Sequence, residues 1–380
     1  MKKKKLVVIS HTEHYKSVEG LVIGLGSTVS EINFLADYWV EVVHVACFYE
    51  SFAPKNSLPY TKSNINFVPI PPYGGKTIKS KFLILTKIPL IIKQVHKAIQ
   101  GATEVQLRLP TSMGLFLLPL FAFVWSRKFV FWVKYAGNWN QKKGPLSYRL
   151  QKWFLVKNYT KCKVTINGFW PDQPSHCYSF ENPCLTDEDI EKSKIYTENK
   201  NYNRPFVFCF VGRLDESKGM HHIVNALRQI PIHKIEKVHL VGDGIENIKY
   251  KKELAFLKDK IFFHGFLSKI EVHAILQKAD FFLLPSASEG FPKVIAEAAC
   301  YGVIPIVSDV GSISHYIDET NGFLCDLNRE SYSEIIKSVL EISPDMLKEK
   351  ATRLFPLAKK FTFTNYLHKL NIGIFDSLKK

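Results

Sequence analysis

PFVFCFVGRLDESKGMHHIVNALRQI, residues 205–230, passes from an unbroken apolar run through a charged loop into a helical pattern. A strand that is hydrophobic at every position needs cover on both faces, as the strands of parallel sheets have. Arg213–Gly219 is the polar loop, and MHHIVNALRQI returns apolar residues at helical spacing. The same alternation then recurs through KVHLVG, IFFHG, DFFLLP and VIPIVSD, with helical stretches between them. It predicts βαβ units and a parallel α/β sheet. The first half carries the same style of strand less regularly, as KLVVIS, EVVHVACF, INFVPI, EVQLRL and FVFWVKY.

At 380 residues, 46% hydrophobic and 23% charged, the chain is a folded protein with room for two cores. The polar segment ENPCLTDEDIEKSKIYTENKNYN, beginning at Glu181, reads as the linker between them. Seven scattered cysteines without a CxxC pair indicate neither a zinc site nor a disulfide framework, and fit a reducing cytoplasm. MKKKKLVVIS has too short an apolar run for a signal peptide and reads as a buried first strand. LPTSMGLFLLPLFAFVWS, Leu109 to Ser126, is uncharged over 18 residues but contains Pro110 and Pro119. It reads as a buried helix of an α/β layer rather than a membrane span.

The net charge of +16 is lopsided. Residues 1–185 hold 24 Lys/Arg against 9 Asp/Glu, and residues 186–380 hold 27 against 26. A basic first half beside a neutral second predicts a face attracted to something anionic: a membrane leaflet, a phosphorylated lipid, a polyanionic saccharide or nucleic acid.

Ligands of parallel sheets bind beyond the carboxyl ends of strands. After PFVFCFVG, Arg213 and Lys218 bracket a loop that Gly219 closes, and two cations there suit a diphosphate. VGDGIE follows its strand in the same way. After DFFLLP comes SEGFPKVIAE, where Glu289–Gly290–Phe291 turns into a helix at Pro292. Free helix amides there accept an anion, while Glu289 and Glu297 accept hydrogen bonds from sugar and ribose hydroxyls. The stretch fits a nucleotide sugar.

Taken together, GRL…KG, VGDG and PSASEGFPKVIAEAACYGVIPIVSDVG…NGFL, from Gly212 to Leu324, resemble the donor half of glycosyltransferases of family 4. That resemblance implies the GT-B fold, an α/β architecture of two Rossmann-like domains whose parallel sheets face across a cleft. Residues 1–185 would be the acceptor-binding domain, 186–355 the nucleotide-sugar donor domain, and 356–380 a C-terminal helix packing back on the first. The resemblance also implies a retaining hexosyltransferase that needs no metal or other cofactor. Arg213 and Lys218 would stabilise the leaving diphosphate, with Glu289 on the donor sugar, as the catalytic set. Gly212, Gly265, Phe266, Gly290, Phe291, Pro292, Lys293, Val294 and Glu297 would form the rest of the donor site.

Two segments depart from the family. GSISHYI has Ser312, Ser314 and His315 where a second glycine and a proline–glutamate are usual, and VKYAGNW has no histidine. His11 and Asn138 are therefore the acceptor-side candidates. The expected partners are the nucleotide sugar, a saccharide or lipid-linked saccharide, and an anionic membrane surface, with no nucleic acid. The expected location is the cytoplasm, peripheral on the inner face of the membrane. Two other classes compete: a nucleotide-sugar epimerase or hydrolase without an acceptor, and a non-enzymatic polyanion binder. Asp187–Glu188–Asp189 mimics a metal motif but opens a helical stretch, so helix-terminus complementation is the reading. GLGS, Gly24–Ser27, reads as a loop near the cleft between domains.

Overall fold

The computed structural model describes residues 3–73, 84–125, 128–141 and 144–375. It divides into two units, one reaching Phe180 and resuming at Leu367, the other spanning Glu181–Tyr366.

The sheet of the first unit contains β1 (Lys3–Lys16), β2 (Val22–Leu25), β3 (Trp39–Phe48), β4 (Ser57–Pro59) and β5 (Ile65–Ile70). It continues with β6 (Glu104–Leu109), β7 (Val130–Tyr135), β8 (Lys163–Ile166) and β9 (Cys177–Ser179). The parallel strands run β5-β3-β1-β6-β7-β8-β9, so the order reverses between β1 and β6. Leu6–Ile9 of β1 are fully buried, as a strand covered on both faces requires. Past an irregularity between Ile9 and Glu13, the end of β1 pairs antiparallel with β2, which in turn pairs with β4. GLGS is therefore not a loop: Gly24 lies in β2 and Gly26 begins the helix Gly26–Leu35. A Cβ at Gly24 would sit 2.4 Å from the His14 ring, so close packing rather than a turn accounts for that glycine.

Not all of the first half's positive charge reaches the surface. Glu31 is buried and accepts from Arg108 Nη2 at 2.9 Å and Lys134 Nζ at 2.8 Å, so two of the cations neutralise an internal carboxylate. The chain's last described turn, Asn371–Phe375, belongs to this unit's core. Phe375 packs edge-on to Trp132 at 5.3 Å, and Lys163 Nζ donates to the Gly373 carbonyl at 2.6 Å.

The second sheet holds β10 (Phe206–Val211), β11 (Ile235–Val241), β12 (Ile261–Gly265), β13 (Phe281–Leu284), β14 (Ile304–Ser308) and β15 (Phe323–Cys325). All pairings are parallel, in the order β12-β11-β10-β13-β14-β15. In sequence order this is 3-2-1-4-5-6, the Rossmann arrangement, with its switch point between β10 and β13. Phe208 stacks on Phe281 across that junction at 5.6 Å.

The segment read as a linker is instead largely the helix Asp187–Asn199. Thr186 Oγ1 accepts from the Asp189 amide at 3.0 Å and Asp189 Oδ2 accepts from the Thr186 amide at 2.7 Å, a reciprocal capping box. Its acidic first turn thus complements a helix N-terminus. The helix buries little besides Ile190 and Ser193, so its composition looks like that of a loop.

Candidate functional site

The carboxyl ends of β10 to β14 carry the residues that the sequence brought forward in the second unit. The first two loops interlock through backbone. The Gly212 amide donates to the Val241 carbonyl at 2.9 Å, and the Leu214 amide donates to the Asp243 carbonyl at 3.1 Å. A side chain at Gly242 would strike the Gly212 carbonyl oxygen, 1.9 Å from its Cβ position. VGDG is thus a brace for the β10 loop.

Within that loop, Asp215 Oδ1 accepts from the Lys218 amide at 3.1 Å and caps the single 3-10 turn Glu216–Lys218. Gly219 follows at φ +76°, and its missing Cβ would lie 1.9 Å from the Pro285 carbonyl oxygen. The Ala287 amide donates to the Ser217 carbonyl at 3.0 Å. These contacts press the end of β10 against the end of β13, at the switch point.

The juxtaposition brings two site residues together. Lys218 Nζ lies 2.5 Å from Glu289 Oε1, with both side chains largely withdrawn from solvent. Arg213 is exposed, its Nε 3.3 Å from Asp215 Oδ2 and its Nη2 donating to Ser217 Oγ at 3.3 Å. Its guanidinium is tethered to the loop and open to a ligand.

The Glu289–Phe291 turn is held from the far side by the segment after β14. Gly311, at φ +63°, approaches so closely that a Cβ would stand 2.0 Å from the Glu289 carbonyl oxygen. The Gly290 carbonyl accepts from the Ser312 amide at 2.9 Å and from Ser312 Oγ at 3.0 Å. Ser312, a departure from the family pattern, therefore works as a clamp. The Phe291 ring is buried, stacked on Phe361 at 4.5 Å, so its side chain belongs to the core. Pro292 caps the helix, which begins one residue later than expected and spans Lys293–Cys300. Pro292 offers no side-chain cap, and the positive end of the helix dipole there favours an anion.

Glu297 is set differently from Glu289. It lies half-buried in the second turn, on the same helix face as Lys293. Loss of water pushes its carboxyl above the ordinary range, against the pull of Lys269 and Lys293. Lys269 is itself placed by the Cys184 carbonyl at 2.9 Å and by Asp189 at 2.6 Å. Gly265 ends β12 at φ +67°, and Phe266 beyond it is exposed.

The acceptor-side candidates lie in the first unit. His11 is exposed at the irregularity of β1, and Asn138 is half-buried just past β7, where its Oδ1 accepts from the Asn140 amide at 3.0 Å. Asn138 follows β7, whereas His11 sits inside the irregularity of β1, after which Glu13 and His14 pair with β3 in parallel again. His14 is different: it is buried, with Nε2 2.8 Å from the Tyr60 hydroxyl and its pKa lowered to about 4 by burial. It is neutral at physiological pH and part of a packed network with His44.

Residues 191–355 match the family described as glycosyl transferases group 1. Over 151 residues the chain is 28% identical to an uncharacterized 41.2 kDa protein in the cps region of Klebsiella pneumoniae, covering 40% of each chain. Over 170 residues it is 30% identical to a UDP-Gal:alpha-D-GlcNAc-diphosphoundecaprenol alpha-1,3-galactosyltransferase of Escherichia coli. That match covers 43% of this chain and 42% of the relative. The chain thus spans less than half the length of these two curated relatives. Three solved structures align over at least 97% of this chain. Sucrose-phosphate synthase from Thermosynechococcus elongatus superimposes with TM-score 0.69 at 15% identity, covering 97% of this chain and 98% of that one. The glycosyltransferase WaaG, involved in lipopolysaccharide biosynthesis, gives TM-score 0.63 at 14% identity, covering 98% and 100%. Anabaena HepE in complex with UDP gives 0.64 at 15% identity, covering 97% and 98%. The fold is GT-B.

Proposed function

We propose that the chain is a retaining glycosyltransferase that moves a sugar from a nucleoside diphosphate sugar to a lipid-linked saccharide, in the assembly of a bacterial surface polysaccharide. The observation that carries this reading is the Lys218–Glu289 pair at the switch point, 2.5 Å apart and backed by the clamped Gly290 turn. A lysine ammonium has three N–H donors. One serves Glu289, leaving two for phosphate oxygens, while the second Glu289 oxygen accepts from a sugar hydroxyl. Arg213 adds a bidentate fork, and the positive N-terminal end of the helix that follows Pro292 completes the diphosphate site. Glu297 accepts from the ribose, and Gly265 and Phe266 border the base.

As the glycosidic bond breaks, negative charge grows on the departing diphosphate, and these fixed cations and the helix end stabilise it without rearranging. Arg213 and Lys218 fill the place of a metal ion in this scheme. The acceptor oxygen bonds to the anomeric carbon as the carbon–diphosphate bond breaks, and its proton leaves on the departing diphosphate; His11 and Asn138 are the candidates for orienting the acceptor. The chain works in the cytoplasm, on the inner face of the membrane. Supporting the acceptor class, the Escherichia coli relative is named for a diphosphoundecaprenol substrate and another relative for colanic acid biosynthesis. UDP is the first nucleotide to try, since HepE was solved with UDP and with UDP-glucose.

Calorimetric titration of UDP, GDP and ADP into the wild type and Arg213→Ala tests the proposal. One nucleotide, UDP, should bind, and the substitution should weaken it roughly 10- to 100-fold, the worth of a charge-assisted contact. Binding of none by folded protein would overturn it.

A further inference from the structure

The outer stripe of the helix Leu146–Val156 is apolar where a solvated surface would be polar. Gln151 and Leu155 face inward and are buried. Leu146, Leu150 and Trp153 lie at i, i+4 and i+7 on the opposite side and are 68%, 48% and 50% exposed. Beside them the helix Gly114–Pro119 and its continuation to Val124 expose Leu115, Phe123 and Val124. This segment was expected to be a buried layer helix; its inner face is, but its outer face is not.

The two elements form one surface. The Thr111 amide donates to Gln151 Oε1 at 3.2 Å, and a Cβ at Gly114 would stand 2.3 Å from that same oxygen. Phe123 lies 5.9 Å from Phe154 and 6.3 Å from Tyr159, and Trp153 lies 5.4 Å from Tyr159. Phe123, Trp153 and Tyr159 are all exposed.

The stretch of sequence that supplies this cluster is almost wholly basic. From residue 51 to residue 171 the chain carries 19 Lys/Arg and a single acidic residue, Glu104. Glu104 is buried, accepting from Trp39 Nε1 at 3.0 Å. Arg149 and Lys157 are exposed on the helix and its exit. Lys128 and Lys161 line one concavity with Asn158, the neighbour of Tyr159.

We infer that the surface made by Leu115–Val124 and Leu146–Tyr159 docks the chain on an anionic lipid bilayer. Leu146, Leu150, Trp153 and Phe123 enter the interface, and Arg149, Lys157, Lys128 and Lys161 lie on the headgroups. The inference names the membrane contact of the reading above and rests on it for the lipid-linked acceptor. Charge selects the occupant: a second copy would set one positive rim against another.

The test is flotation of the full chain with vesicles of phosphatidylcholine alone or mixed with phosphatidylglycerol. The wild type should float with the mixed vesicles only, and less as salt is raised. Arg149→Ser and Lys157→Ser should each lower partitioning roughly fivefold. The double variant Leu150→Ser/Trp153→Ser should lower it by about tenfold or more. These side chains face solvent, so the variants should keep wild-type circular dichroism and UDP affinity. A failed nucleotide titration would sink the transferase reading without touching flotation. Unchanged flotation of the double variant, equal recovery on both vesicles, or a dimer in light scattering that the double variant abolishes would each overturn the docking surface.

Discussion

Gly311→Ala tests the way the candidate site is held. At φ +63° an added Cβ would stand 2.0 Å from the Glu289 carbonyl oxygen and 2.6 Å from that of Gly290. Both distances are well inside any contact a Cβ tolerates, so the 289–290 peptide must retreat by about 1 Å. That retreat breaks the two hydrogen bonds from Ser312 to the Gly290 carbonyl, at about 1 kcal/mol each. Holding alanine in the left-handed region adds about 1 kcal/mol, for a total near 3 kcal/mol. Gly265→Ala is the control: its φ is +67°, but nothing lies within 4 Å of the added Cβ, so only the backbone cost of about 1 kcal/mol remains. Urea unfolding should therefore separate the two variants by about 2 kcal/mol. Far-UV circular dichroism is the right probe, because all six tryptophans belong to the first unit. Because Glu289 moves with its peptide, Gly311→Ala should also lose UDP affinity by about tenfold or more. Equal destabilisation of the two variants, or wild-type UDP binding by Gly311→Ala, would refute the clamp.

Ser312→Ala removes only the hydroxyl bond to Gly290, so it should cost about 1 kcal/mol in urea unfolding and a few-fold in UDP affinity. A cost indistinguishable from zero would mean the amide bond holds the turn alone. Asp280 supplies a pH prediction. It is buried, accepts from the Val207 amide at 2.8 Å, and burial pushes its carboxyl up to about 6. The folded state then keeps a proton that the unfolded chain has already released. This group's stabilising effect is complete below about pH 4 and is lost as pH rises to 6, a change of about 3 kcal/mol. Asp280→Asn should remove that dependence, so the wild type should lose stability relative to the variant between pH 4 and pH 7. A pH-independent difference between the two would show that Asp280 ionises normally.

Some of this was legible in the chain itself. The all-apolar runs at Phe206–Val211 and Phe281–Leu284 required cover on both faces, and so implied parallel strands with helices between them. Arg213, Lys218 and Glu289 were visible because ligands of parallel sheets bind beyond the carboxyl ends of strands, where these charges follow β10 and β13. Other features were not legible. The helix Asp187–Asn199 resembled a linker because it buries so little, and β2, β4 and β9 are too short to show a period. The apolar segment after Leu109 announced burial but not that Leu115, Phe123 and Val124 would face outward.

By itself, then, the order of residues determined the two α/β cores, the strand ends that carry the candidate site, and the residue types available there. Those are local properties, set by period, charge and turn chemistry within a few residues. Only the tertiary structure decided that Lys218 meets Glu289 across 71 positions, that Gly219 rests on Pro285, and that Gly311 and Ser312 clamp the Gly290 turn. Such contacts depend on how closely separate loops approach at the switch point of a sheet, and that approach is set by the packing of the whole unit rather than by any stretch of its sequence.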